Sequence, residues 1–173
     1  RAQGMGAFVA VADDATASWW NPAGLATGRL FSLTIEHGST DTPGAAGAVP
    51  SRRDAASGFS VAFPSLALSY YRVRLGESSA AGGSTAIGAR ALSQYGMTVG
   101  QSFGNHLVLA STLELVKAGM ASGVTSAAEP LDEAGNLAVP RQTTGDLDLG
   151  AMAAFGPARL GLSVKHLRRS ERA

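Results

Sequence analysis

A period of two runs through most of this chain and constrains its fold more than any other feature. Phe31, Leu33 and Ile35 alternate with Ser32, Thr34 and Glu36, and Phe59, Val61 and Phe63 with Ser60 and Ala62. Leu66, Leu68 and Tyr70 alternate with Ala67, Ser69 and Tyr71. Tyr95, Met97, Val99 and Phe103 follow the same rule, as do Leu107, Leu109, Leu113 and Leu115. So do Leu147, Leu149 and Phe155, and then Leu160, Leu162 and Val164. Successive side chains of a strand point to opposite faces, so these runs predict seven half-buried antiparallel strands. Hydrophobic residues make up 45% of the 173. No stretch reaches the roughly 18 consecutive apolar residues that a transmembrane helix requires. The apolar content is spread along alternating segments, the pattern of a half-buried sheet or of a membrane β-barrel.

The connections add a second constraint. Pro64-Ser65, Gly104-Asn105-His106 and Gly156-Pro157-Ala158-Arg159 read as short turns. Residues 38–57, 76–88 and 119–144 are rich in Gly, Ser, Thr, Pro and charge, and read as long connections. Short and long then alternate, as the two ends of an outer-membrane barrel do. Residues paired across a hairpin share a face. Matching the apolar faces sets Phe63 against Leu66, Phe103 against Leu107 and Phe155 against Leu160. Phe31, Phe63, Phe103 and Phe155 fall at the short-turn ends, where an aromatic girdle would lie. The opposite face carries Gly, Ser, Thr and Ala with Glu36, Glu114, Asp148 and Lys165. In a barrel that face lines the lumen; in a soluble sandwich it is the solvated outside. Alternation alone fits both.

Residues 4–26 differ: GMGAFVAVADDATASWWNPAGLA. A short helix is expected around Asp13–Trp19, capped by an Asp and stopped by Asn21-Pro22, since the residue before proline is driven out of the α region. The chain thus divides into a lead-in over 1–28 and strands over 29–173. The whole N-terminal run resembles the start of mature FadL-type outer-membrane transport proteins, and of the related barrels that include PorV-like secretion components. The resemblance implies a plug built on Asn21, Pro22 and Ala23 and an antiparallel transmembrane β-barrel in the cell outer membrane. In such a barrel the basic pairs Arg52-Arg53 and Arg168-Arg169 read as loop or rim charges facing outer-membrane lipid and lipopolysaccharide phosphate rather than as a binding patch. The resemblance implies either transport of a hydrophobic small molecule or a partnership with secretion-machinery proteins. Seven strands are fewer than a closed bacterial barrel uses, so the segment reads as an N-terminal partial barrel whose remaining strands close it.

Other chemistry is missing from the pattern. Net charge is +1, which gives no electrostatic case for nucleic acid. There is no Cys, hence no disulfide or thiolate site. His37, His106 and His166 have no metal-ligand spacing and read as surface residues. Asp13-Asp14 fit capping, and Asp146 and Asp148 fit a lumen face. Gly4-Met5-Gly6 lacks the strand and third glycine of a dinucleotide loop, and no nucleophile elbow occurs. The expectation is a non-enzymatic barrel without metal or cofactor, with a soluble periplasmic β-sandwich as the remaining alternative.

Overall fold

Among the described residues, seven antiparallel strands pair in sequence order into one sheet that curves into an open half-barrel. The computed structural model describes residues 17–27, 31–43, 50–81 and 84–167. The strands are β1 (Ser32–Pro43), β2 (Pro50–Phe63), β3 (Leu66–Ala81), β4 (Ser84–Phe103), β5 (Leu107–Thr125), β6 (Gln142–Phe155) and β7 (Ala158–Val164). Helix α1 (Ala17–Trp20) and a 3-10 turn (Pro22–Thr27) precede β1, and helix α2 (Pro130–Asn136) lies between β5 and β6. The expected Asp cap of the first helix falls outside the described residues.

The ladder is regular, with one register shift at Thr42/Pro43, so faces can be followed from strand to strand. One row runs Phe59, Tyr70, Tyr95, Leu115; another runs Leu66, Val99, Ser111, Leu149. These side chains point outward. Val99, Leu113 and Leu160 are 51%, 51% and 68% exposed. The concave face is different. It carries Ser60, Ser69, Thr98, Thr112, Glu114 and Asp148, all buried. Its apolar clusters are small: Ala17 and Leu25 on Ala62 and Ala67, and Ala23 on Val108, Ala110 and Met152. Burial of apolar surface is worth about 25 cal/mol per Å². This sheet forgoes most of that gain in water, because its largest apolar side chains are the ones left outside.

Two hairpins close as the alternation predicts, with Phe63 opposite Leu66 and Phe103 opposite Leu107. The third does not: Phe155 pairs with Ala158, and Leu160 with Ala153. Gly156 adopts φ 59°, which suits the first central position of a tight two-residue turn and lets Pro157 take the second. The shift is by two residues, so the faces are unchanged.

The long connections are corrected more substantially. Most of 38–57 and 76–88 is strand, with Gly38 paired to Ala56 and Gly76 to Arg53. Residues 44–49 and 82–83 lie outside the described residues. Their Gly, Ala and Ser content read as loop because the far halves of these strands have no apolar face to alternate. Between β5 and β6, residues 126–141 do form a long connection, but it is not a free loop. It folds back as a strap over the outer face of the far half of the sheet. Leu131 and Ala134 of α2 are buried there, and Ala134 approaches Gly76. Arg53 bridges Asp41 at 2.8 Å and also holds Asp132 at 2.5 Å. A Cβ added at Gly119 would land on the Pro140 carbonyl. Gly119→Ala is therefore expected to unseat the strap at 137–141. Limited proteolysis should then cut within 126–141 at least several times faster, while unchanged protection would mean the strap is held elsewhere.

Candidate functional site

The concave face is organised in layers. At the short-turn end it holds the Asn-Pro-Ala segment. Helix α1 ends at Trp20 because Asn21 precedes Pro22, and the Asn21 N–H donates back to the Ala17 carbonyl at 2.9 Å. The Asn21 side chain then works in both directions. Its Nδ2 donates to the Ala151 carbonyl of β6 at 3.1 Å, and its Oδ1 accepts from the Ala23 N–H at 3.1 Å. One short amide thus pins the turn to the wall and shapes the turn itself. Asn21, Pro22 and Ala23 are all buried. They seat over Gly150, where a Cβ would be 2.8 Å from the Pro22 ring carbons. All three predicted residues therefore act at one place, the contact between lead-in and wall.

Above this layer Thr98 and Thr112 share a 2.7 Å hydrogen bond between hydroxyls, beside buried Ser69. Next comes a charged layer. Glu114 and Asp148 are 2% and 0% exposed. Asp148 Oδ2 lies 3.3 Å from Lys165 Nζ, and its Oδ1 accepts the His166 N–H at 2.9 Å. Gln94 hydrogen-bonds Glu114, and the Glu114 and Asp148 carboxylates act on one another. Thus Glu114, Asp148 and Lys165 come together. Glu36 does not: it is on the same concave face, paired opposite Gly58, but on the exposed edge strand β1.

Two further members complete the layer. Asp146 pairs across from Glu114 on the same face. His166 is exposed, as its surface reading implies, but its Nδ1 contacts Asp146 Oδ2, a contact the sequence did not indicate. Strand parity would send residue 166 outward, but its φ of 57° ends the alternation and turns the backbone over β6. Nothing in the sequence signals that reversal. His106 is likewise engaged, with Nδ1 2.9 Å from the Ala154 carbonyl and its ring stacked on Phe155. Tyr71 lies on the concave face opposite Gly58, whereas Tyr95 lies outside.

Asp146, Asp148 and His166 each offer one metal-ligand atom, all within 4.8 Å of one another. Each already has a protein partner: Lys165 and the His166 N–H on Asp148, and the imidazole on Asp146. The arrangement reads as a charge lock that ties the end of β7 to β6. Asp148→Ala is expected to cost about 2 kcal/mol, the scale of a hydrogen bond to a charged group. It should appear as a lower midpoint of thermal unfolding followed by circular dichroism; no change would mean that solvent already satisfies the lock.

No family model, curated protein or solved structure matches this chain.

Proposed function

We propose that this chain forms wall and plug of an outer-membrane β-barrel whose role is passage of small molecules. The observation that carries the reading is the inverted polarity of the sheet. Large side chains face out, and Ser, Thr, Glu and Asp face in. In water such an outer face is an exposed apolar patch far beyond what soluble monomers tolerate. In a bilayer it is the required surface. The dimensions agree. On β4 the outward band runs from Tyr95 to Phe103 and on β5 from Leu107 to Leu115. At ~3.4 Å per residue each covers about 30 Å of strand, or about 20 Å of height at a membrane strand's usual ~45° tilt. Aromatic rings border it on both sides. Phe59, Tyr70 and Tyr95 follow one another at 6.0 and 4.9 Å, and Phe31 and Phe63 meet at 5.6 Å on the short-turn side. The likeness of residues 4–26 to FadL-type and PorV-like proteins supports the same reading.

Further strands pair the open edges of β1 and β7 in this reading, because a bilayer offers no water to satisfy them. The lining bears on the solute. Its charged layer suits a molecule with a polar end better than a bare hydrocarbon. A second reading, a non-channel barrel that partners secretion machinery, is favoured by how tightly Asn21 seats the plug.

The test is expression of the full-length protein in a Gram-negative host, followed by fractionation and gel migration with and without boiling. Outer-membrane recovery with a boiling-dependent shift is expected; a soluble periplasmic protein without a shift would sink the proposal. Liposome uptake of a fatty acid, and of a small sugar as comparison, then separates the two readings. Uptake of neither favours the partner role.

A further inference from the structure

On the convex face, immediately above the Tyr70–Tyr95 row, the ladder collects cations. The next row runs Ser57, Arg72, Ser93, Lys117, Thr143. The row above it runs Ala55, Arg74, Ala91, Gly119, and Arg141, the residue just before β6, is close enough to act on Arg74. Arg72 and Arg74 on β3 and Lys117 and Arg141 on the β5–β6 side thus lie on either side of two small residues, Ser93 and Ala91. Both of these are buried.

Among the described residues no carboxylate pairs with these cations, and two of them are fixed by other contacts. Arg74 is fixed by the strap, donating from Nη2 to the Leu137 carbonyl at 2.9 Å, and its Nε is buried without a hydrogen-bond partner. The charged groups acting on Arg74 are Arg72 and Arg141, both of like sign. Lys117 Nζ lies 5.6 Å from the Tyr95 ring, which holds its stem against the top of the apolar band. The acids of the strap do not relieve the cluster. Asp132 is committed to Arg53, and Glu129 and Glu133 make no ion pair with these four among the described residues. Arg53, on the same outer face, shows the contrast, since it is met by two carboxylates.

We infer that Arg72, Lys117 and Arg141, backed by the fixed charge of Arg74, bind a phosphate group carried by a membrane lipid headgroup. This rests on the bilayer reading above. Guanidinium pairs match phosphate oxygens bidentately and an ammonium serves as a point charge. The height is what selects a lipid over a free anion. Arg72 and Lys117 sit one row, about 7 Å along the strands, beyond the Tyr70–Tyr95 pair, and Arg74 sits one row further. Tyrosine marks the headgroup level of a membrane protein, and basic residues just beyond it lie at the phosphates.

The experiment uses the full-length, detergent-solubilised protein and native mass spectrometry. It is titrated with lipid A, with enzymatically dephosphorylated lipid A, and with inorganic phosphate. The variant is Arg72→Gln/Arg141→Gln, two positions whose side chains pack into no core. At least tenfold tighter binding of lipid A than of the dephosphorylated form is expected, with most of that difference lost in the variant. Equal affinity for both lipids, or an unaltered difference in the variant, overturns the inference. Inorganic phosphate binding as well as lipid A overturns the lipid assignment. The boiling-dependent gel shift, read on the same samples, keeps the two failures apart. A shift without phosphate dependence rejects this site alone, and absence of the shift rejects the barrel and the site together.

Discussion

Val99→Arg is expected to block stable insertion of this protein into a bilayer while leaving an aqueous fold untouched. Val99 points outward at 51% exposure, between Leu66 and Ser111, midway along the Tyr95–Phe103 band. If that band faces lipid, an arginine at its middle costs about 2–4 kcal/mol. At 1.4 kcal/mol per tenfold, the insertion equilibrium falls by roughly 30- to 1,000-fold. If the band faces water, an exposed substitution shifts stability by no more than about 0.5 kcal/mol. Met120→Arg is the control: it is 70% exposed, but its register opposite Arg90 puts it on the concave face of the far half of β5, away from the band. The measurement is the fraction of boiling-sensitive band after folding into liposomes across a urea series. Equal urea midpoints for the two variants would remove the bilayer from the account of this sheet.

If the helix-turn plugs a barrel as proposed, Gly150→Val is expected to release it and leave the wall intact. Its side chain would meet Asn21 Oδ1 and the Pro22 ring, and neither can give way easily because both residues are fully buried. Forcing atoms into a filled site costs about 1–3 kcal/mol, which corresponds to a roughly 5- to 150-fold rise in the unplugged population. The Asn21–Ala151 hydrogen bond goes with it. Conductance of the reconstituted full-length protein should rise by at least about fivefold at unchanged gel shift. A variant that loses the gel shift without gaining conductance would show that the sheet, and not the plug, absorbs the clash.

Much of this architecture is legible in the chain because period two is a local property. Each strand that borders the apolar band carries it, from Phe31–Ile35 to Leu160–Val164. The shared face of Phe63 and Leu66 follows from parity across a two-residue turn. Even the displaced third hairpin keeps its faces, since Phe155 moves its partner by two positions. Asn21-Pro22 stops a helix through its own backbone sterics. Where the signal is not local, reading fails. The far halves of β1–β4 carry no amphipathic contrast, so residues 38–57 and 76–88 resemble loops. Helix α2 is seven residues long, and it depends on Gly76, Gly119 and Gly123, on other strands, leaving room for the strap. His166 joins Asp146 through one left-handed backbone angle that alternation cannot encode.

The amino-acid sequence by itself determined that the chain makes amphipathic strands, where most of them turn, and which residues share a face. It did not determine which face is inside. Alternation is symmetrical: Leu113 and Glu114 exchange roles if the sheet curves the other way. Tertiary structure made that choice. The helix-turn docks on the small side chains Ala62, Ala67, Ala110 and Gly150, because only a face without bulk lets a second layer of backbone approach it. That docking lies on the concave side, which leaves the large apolar residues facing outward.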